Sequence, residues 1–160
     1  MKFCFFTFYY PPDLSAGSFR SMALVESLIA QMDSKDSLVV ITTSPNRYKS
    51  YEVKTETLTV KRNLKIFRIK LPKHSGSMLS QAFSFSIYSF KAIKICYKER
   101  PDYLIGTSGR LMTAILTWLA SVLIRKPYAI DLRDIFSETI SDLFATKNRL
   151  IGKVFYKFFS

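Results

Sequence analysis

The chain has 160 residues, of which 48% are hydrophobic and 22% charged. These values describe one globular domain that can bury its own core, and they exclude disorder and collagen-like structure. The formal net charge of +12 favours an anionic partner such as nucleic acid, an anionic bilayer or a phosphorylated substrate. The excess is local, because no acidic residue lies between Glu56 and Glu99, whereas this stretch contains Lys61, Arg62, Lys65, Arg68, Lys70, Lys73, Lys91, Lys94 and Lys98.

The two cysteines, Cys4 and Cys96, lie in apolar stretches without a CxxC motif or a second type of metal ligand nearby. They predict buried free thiols in a reducing compartment, and neither a disulfide framework nor a zinc site. The uncharged run at residues 111–124 has fourteen residues. Since a membrane-spanning helix needs about 20, this run predicts a buried helix.

The first half of the chain alternates between strand and helix patterns. Residues 3–10 form a nearly continuous β-prone run, typical of a strand covered on both faces, that ends at a Pro-Pro pair. A helix is predicted at residues 18–32, and a strand follows at 38–42 before a Ser-Pro-Asn turn. In the runs at residues 58–60 and 64–71, successive side chains are predicted to point to opposite faces, which indicates one or two further strands. In the second run, one face would carry Leu64, Ile66 and Arg68, and the other would carry Lys65, Phe67, Ile69 and Leu71.

The second half continues the same order. Residues 78–97 fit both an alternating and a 3.6-residue pattern, and the length of the run favours a helix. A strand at 103–107, a helix at 110–124 and a strand at 128–132 follow. This order predicts an α/β fold, a parallel sheet with helices on both faces. Residues 147–159 predict a basic amphipathic helix that reaches almost the last residue, so we expect the protein to be truncated.

In an open parallel sheet, ligands bind at the carboxyl ends of the strands, where loops lead into helices. The loop at residues 15–18, Ser-Ala-Gly-Ser, offers backbone N–H groups and a positive helix end to a phosphate, although a glycine needed only for the turn would look the same. Arg20, one turn into the predicted helix, is close enough to reach the same ligand, although a solvent-facing arginine would have the same spacing. The chain lacks the GxGxxG and GxxxxGK[ST] motifs, which disfavours the two nucleotide-binding folds that carry them.

The segment at residues 131–138, Asp-Leu-Arg-Asp-Ile-Phe-Ser-Glu, concentrates acids and an arginine at the end of a predicted strand. An arginine can clamp a phosphate or carboxylate, and a carboxylate can accept hydroxyl hydrogen bonds or act as a general base. The alternative is that Asp131 and Asp134 cap the following helix and pair with Arg133. His74, the only histidine, has no nucleophile or carboxylate partner in its local sequence and is predicted to be a plain surface residue.

Five short motifs at these predicted positions resemble, in order, the pattern of glycosyltransferase family 4 enzymes, in particular the bacterial branch that builds O-antigen, capsule and lipopolysaccharide. The motifs are Tyr10-Pro11-Pro12-Asp13 with Gly17 and Arg20, Thr43-Ser44-Pro45-Asn46, Arg68 with Pro72 and His74, Thr107-Ser108-Gly109, and residues 131–138. The resemblance spans residues 1–160 and covers only half of such an enzyme. It implies the N-terminal, acceptor-binding Rossmann-like domain of a GT-B glycosyltransferase, without the C-terminal nucleotide-sugar domain.

The resemblance also implies an activity, which is retaining, metal-independent transfer of a sugar from a nucleotide-sugar to a lipid-linked saccharide, without a cofactor. Gly17, beside Ala16, would face the donor diphosphate, and Arg20 would support that loop. The acceptor side would comprise Asn46, Ser108, Gly109, Arg110, Arg133, Asp134 and Glu138, with Asp134 and Glu138 as catalytic candidates. The chain departs from the family at Ala16, usually glycine, and at Phe136 and Ser137, usually tryptophan and proline. The family's E-x7-E donor pair has no counterpart, so we expect this chain alone to be inactive or nearly so.

The expected location is cytoplasmic and peripheral at the inner membrane, because the basic stretch at 57–98 and the segment at 147–159 favour an anionic bilayer. Two alternatives stay open. A basic α/β nucleic-acid-binding domain would fit the net charge and the 15% aromatic residues, although the chain has no RNP-type or helix-turn-helix signature. The acceptor subunit of a split glycosyltransferase would fit the missing donor motifs.

Overall fold

The computed structural model describes residues 1–45, 55–72 and 78–132, without the side chain of Met78. In chain order, the described elements are β1 (Lys2–Phe6), α1 (Ala16–Gln31), β2 (Ser37–Thr43), β3 (Leu58–Lys61), β4 (Leu64–Ile69), α2 (Met78–Glu99), β5 (Tyr103–Thr107), α3 (Leu111–Ile124) and β6 (Tyr128–Asp131). The strands form one sheet in the order β3-β4-β2-β1-β5-β6. This architecture confirms the predicted α/β class.

The sheet is parallel except at one edge, where β3 runs antiparallel to β4. The prediction of a parallel sheet is therefore wrong for β3. The reason is the short connection, since only Arg62 and Asn63 separate the two strands. A two-residue turn can join antiparallel neighbours, whereas a parallel pair needs a crossover of a dozen or more residues.

Helices cover both faces of the sheet, as predicted. Phe5 of β1 belongs to a buried cluster with Val25 of α1, whereas its neighbours Cys4 and Phe6 belong to a second cluster with residues of α2 and α3. Successive side chains of a strand point to opposite faces, so β1 is buried from both sides. Cys4 and Cys96 are free and buried, which confirms the predicted burial of the two thiols.

β1 ends at Phe6, four residues before the predicted end. Phe8 and Tyr10 nevertheless remain buried, the first against α2 and the second in the cluster beside α1. Their apolar character therefore reflects packing of a loop, and a composition-based prediction cannot distinguish it from a continued strand.

α3 is a helix, as predicted, but it is buried on one side only. Ala114, Leu116 and Ala120 are buried, while Met112 and Trp118 are about half exposed within the described structure. The uncharged run at 111–124 thus has one face on the sheet and one apolar face outside, and the prediction of a buried helix is wrong for the outer face.

α2 is attached to the sheet by a buried tyrosine. The hydroxyl of Tyr88 lies 3.0 Å from the carbonyl oxygen of Thr7 and 2.9 Å from that of Ile41, and burial raises its pKa well above the usual range. One phenol thereby holds the helix over the carboxyl ends of β1 and β2. Among the described helices, α2 included, none has the length and apolar character that crossing a bilayer requires.

Candidate functional site

A cleft lies where the chain direction diverges in the sheet. β1 and β5 are neighbours, but β1 leads through α1 to β2 on one side, and β5 leads through α3 to β6 on the other. The loops after β1 and β5 therefore separate and leave a crevice at their carboxyl ends, which is where open α/β sheets bind ligands. The walls of this crevice come from the β1–α1 loop and from the first turns of α1 and α3.

The first wall is the N-terminal turn of α1. Ser15 is the N-cap, and its hydroxyl accepts a hydrogen bond from the backbone N–H of Ser18 at 3.2 Å. Ala16 and Gly17 follow in the first turn, and Gly17 lines the cleft. The predicted loop thus does lead into a helix, which begins at Ala16, two residues earlier than expected. The proposed contact of Gly17 with a donor diphosphate stays a prediction.

Arg20 joins this helix to the far strand of the site. Its Nε and Nη2 atoms donate to the two carboxylate oxygens of Asp131, at 3.1 and 2.7 Å. Asp131 is the last residue of β6, and its carboxylate lies 3.4 Å from the hydroxyl of Thr107 at the end of β5. A two-pronged arginine–carboxylate contact fixes orientation as well as distance. Arg20 therefore connects α1 to β6 through its contact with Asp131.

The second wall begins at Arg110, the N-cap residue of α3. Its guanidinium carbon lies 4.1 Å from the centroid of the Phe8 ring and 5.2 Å from that of Tyr9, and Nη2 donates to the Tyr9 hydroxyl at 2.6 Å. Cation–π contact holds an arginine in place without neutralising its charge. Arg110 consequently brings an oriented positive charge to the same cleft as Gly17 and Gly109.

The start of α3 adds further anion-binding character. No acidic residue lies in its first turn, so the positive end of the helix dipole is not compensated locally. Thr113 is fully buried and lines the cleft, and its hydroxyl has no hydrogen-bond partner within the described residues. An unpaired buried hydroxyl costs about 1–3 kcal/mol, so a water or ligand oxygen here would be stabilising. The enclosed space is only about 10 Å³, so a larger anion would sit at the mouth and direct one oxygen inward.

Arg68 of β4 connects the β1–α1 loop to the edge strand β3. Its Nη1 donates to the Thr59 hydroxyl at 2.8 Å and its Nη2 to the carbonyl oxygen of Pro11 at 3.1 Å. Burial lowers the pKa of this guanidinium from its ordinary value. Pro11 lies two residues after Tyr9, which contacts Arg110. Arg68 therefore stabilises the conformation of the loop that forms part of the cleft wall.

The structure brings several of the predicted site residues together and leaves others untested. Gly17, Gly109 and Arg110 line the cleft, while Ser108 is buried behind it and donates its backbone N–H to the carbonyl oxygen of Asp131 at 3.0 Å. Outside the described residues lie Asn46, His74, Arg133, Asp134, Glu138 and the segment at 147–159. Phe8 and Thr113 also contribute to the cleft, although neither residue belongs to a motif that the sequence shows.

Within the described ranges, no group of three histidine, cysteine, aspartate or glutamate side chains is arranged to hold a metal ion. The described residues define an α/β protein with a mostly parallel sheet and a basic, partly polar cleft at its switch point. No protein-family model matches the chain, and no curated protein is significantly similar to it.

Proposed function

We propose that this chain is the N-terminal, acceptor-binding half of a retaining GT-B glycosyltransferase that resembles family 4 enzymes. The reaction would transfer a sugar from a nucleotide-sugar to a lipid-linked saccharide in the synthesis of a cell-surface polysaccharide. The observation that carries the proposal is the convergence of Gly17, at the start of α1, and Arg110, at the start of α3, on one cleft. A second domain, which would supply the nucleotide-sugar, completes the proposed enzyme.

The two helix starts suit two different anions. The acceptor of such a reaction carries its saccharide on a lipid phosphate or diphosphate, and Arg110 with the N–H groups of α3 offers a charge-assisted site for it. The first turn of α1 at Gly17 would face the donor diphosphate, whose charge grows as the sugar–phosphate bond breaks, so N–H groups there would stabilise the leaving group. Asp134 and Glu138 stay the candidates for activating the acceptor hydroxyl.

The lipid-linked acceptor also explains the charge of the chain. A protein that works on such a substrate must reach the bilayer surface, and the stretch between Glu56 and Glu99 is basic without an acid. Each lysine or arginine near an anionic surface contributes about 1 kcal/mol of attraction. A peripheral position at the cytoplasmic face of the inner membrane is therefore part of the proposal.

Isothermal titration calorimetry tests this assignment. The ligand is a water-soluble, short-chain prenyl diphosphate that carries one sugar. We expect saturable binding by the 160-residue chain, weakened about 10-fold or more by Arg110→Gln, because one charge-assisted contact is worth about 1.5–3 kcal/mol. Arg125→Gln is the matched control, since Arg125 ends the same helix that Arg110 begins. Absence of binding, or equal weakening by both substitutions, would contradict the proposal.

The nucleic-acid alternative predicts a different result in the same binding titration. A basic α/β domain of that kind would bind oligonucleotides with a steep salt dependence, since phosphate contacts release counterions. Tighter binding of single-stranded DNA than of the prenyl diphosphate, at equal salt, would favour it over glycosyl transfer.

A further inference from the structure

The outer face of α2 carries a row of exposed large side chains. Leu79, Phe83, Phe90 and Tyr97 are 84%, 64%, 74% and 70% exposed. Their spacing of four, seven and seven residues places them on one line along the helix. We refer to these four residues as the α2 stripe. It accounts for the helical period of this segment, and yet it is not the side that packs on the sheet.

The core-facing side of α2 is separate from the stripe. Phe85, Tyr88, Ala92 and Cys96 are all buried in the cluster beneath the helix. α2 therefore has two apolar sides, of which the sheet needs only one. Four large apolar side chains on one line of a helix, each at least 64% exposed, are unusual for a surface without a partner.

The charges beside the stripe indicate which partner it fits. Lys91, Lys94 and Lys98 are exposed on α2. The only acid of the helix, Glu99, does not neutralise them, because its carboxylate pairs with Lys2 at 3.1 Å and with Lys65 at 3.2 Å. Within the described residues, the surface therefore combines aromatic side chains with lysines that no acidic side chain neutralises.

A groove beside the helix extends this positive surface. Lys91 and Lys94 line it together with Lys70, which follows β4, and its volume is about 340 Å³. A groove of this kind has room for anionic headgroups next to the stripe. Helices that lie in the plane of a bilayer have the same combination, an apolar face beside lysines that contact anionic lipid.

We propose that α2 docks on an anionic bilayer with its axis parallel to the membrane plane. The side chains of Phe83, Phe90 and Tyr97 enter the boundary between headgroups and acyl chains, and Lys91, Lys94 and Lys98 contact lipid phosphates. The purpose of this docking, which is to bring the cleft to a lipid-linked acceptor, rests on the proposed function. The docking itself requires no acceptor.

The position of α2 suits that purpose. The helix follows β4 and so begins at the carboxyl edge of the sheet, where the cleft opens. Phe8, which lies under the Arg110 guanidinium, also stacks on Phe85 of α2 with ring centroids 5.8 Å apart. A bilayer on the outer side of α2 would therefore lie close to the cleft.

α3 is the competing surface. Six large apolar side chains on its outer side are exposed by between 39% and 57%, namely Met112, Ile115, Trp118, Leu119, Val122 and Leu123. Residues 111–124 contain no charged side chain, so this surface has basic side chains only at its two ends, Arg110 and Arg125. The lysines thus favour α2, and the experiment needs to distinguish the two helices.

Vesicle sedimentation compares phosphatidylcholine with mixtures of phosphatidylcholine and phosphatidylglycerol, both without any acceptor. We expect binding to the anionic vesicles only. Lys91→Gln with Lys94→Gln should weaken it about 30-fold, from about 1 kcal/mol for each lysine. Lys35→Gln with Lys61→Gln removes the same charge from exposed positions elsewhere and should cause less than a third of that loss. Equal losses from the two pairs would overturn the proposal, because net charge alone would then explain binding.

The aromatic contribution is tested in the same assay. Phe83→Ser with Phe90→Ser should weaken binding about 100-fold, because burial of each ring contributes at least about 1.5 kcal/mol. The matched control is Val122→Ser with Leu123→Ser on α3, which should leave binding within about 3-fold of the parent. The proposal fails if the α3 pair has the larger effect.

Depth-dependent quenching identifies the inserted helix directly. Trp118 is the only tryptophan of the chain and lies on α3, so Phe90→Trp in a Trp118→Phe background moves the fluorophore to α2. Brominated lipids should quench the relocated tryptophan strongly and Trp118 weakly. Stronger quenching of Trp118 than of the relocated tryptophan would overturn the proposal. The proposal would also fail if the chain self-associates and the double substitution Phe83→Ser with Phe90→Ser abolishes that self-association. Vesicle binding without prenyl diphosphate binding refutes the proposed function alone, while the reverse refutes only α2 docking.

Discussion

Arg20 and Asp131 form an ion pair across the candidate site, with two nitrogen–oxygen distances of 3.1 and 2.7 Å. The two residues are 111 positions apart in the chain and belong to α1 and β6. Their contact joins the first helix to the last described strand. Because α1 and β6 lie on opposite sides of the switch point, the ion pair connects the two sides.

A double-mutant cycle measures the strength of this contact. Arg20 is 51% exposed, so solvent screening limits the coupling of Arg20→Ala and Asp131→Ala to about 1 kcal/mol in the free energy of unfolding. Arg20→Lys should keep less than half of that coupling, since an ammonium group cannot make both contacts. Urea unfolding of the four proteins in the cycle gives the coupling free energy. Strictly additive losses of stability would contradict a stabilising contact between Arg20 and Asp131.

Tyr88→Phe should lower the free energy of unfolding by about 1–3 kcal/mol, because it removes a hydroxyl from between two buried carbonyl oxygens. The matched control is Tyr97→Phe on the same helix, which should change stability by less than about 0.5 kcal/mol because Tyr97 is exposed. The two variants are compared by their denaturant midpoints, provided that the dependence of the unfolding free energy on denaturant concentration is unchanged. Equal effects would show that the Tyr88 hydrogen bonds contribute little.

Gly106 in β5 permits α3 to approach the sheet. A Cβ atom there would lie 1.9 Å from the Thr117 hydroxyl oxygen and 2.8 Å from its Cβ. Gly106→Ala should therefore destabilise the protein by about 1–3 kcal/mol through overpacking. Adding Thr117→Ala should recover part of the loss, since it removes the nearer atom, and thermal unfolding of both variants checks this. A tolerated Gly106→Ala would mean that α3 can shift.

Glu99 makes part of the stability dependent on pH. Burial alone would raise the pKa of this carboxyl, but hydrogen bonds from Lys2 and Lys65 outweigh it and hold the pKa below its ordinary value of 4.5. The stabilisation is therefore present above the unfolded pKa and is lost as the pH falls through the folded one. Glu99→Gln should flatten the loss of stability below about pH 4.5, as measured by urea unfolding at successive pH values. An unchanged profile would contradict the role of Glu99.

Much of the fold follows from local patterns. The prediction for β5, residues 103–107, coincides with the observed strand, and the helix predicted at 18–32 differs from α1 by two residues at its start. Alternation on β4 also correctly separates Ile66, on the α1 side, from Phe67 and Ile69, on the α2 side. Periodicity succeeds here because each side chain packs on the face that its position in the element dictates.

The site is less predictable, because it depends on the order of the strands. Arg20 has an ordinary helical environment in the sequence, and only the neighbouring positions of β1, β5 and β6 bring Asp131 to it. Phe8 resembles a strand residue because it is apolar, whereas it supports Arg110 from a loop. The exposure of the α2 stripe is equally hidden, since a 3.6-residue period reports that a face is apolar and not what covers it.

The central claim is that the cleft between α1 and α3 binds the phosphate-bearing end of a lipid-linked acceptor. The most direct measurement is a two-dimensional amide NMR titration of the isotope-labelled chain with a short-chain prenyl diphosphate saccharide. The account predicts saturable shifts of the amide signals of Gly17, Gly109 and Thr113, and their loss in Arg110→Gln. Shifts confined to the lysine-bearing side of α2, or no saturable shifts at all, would contradict it.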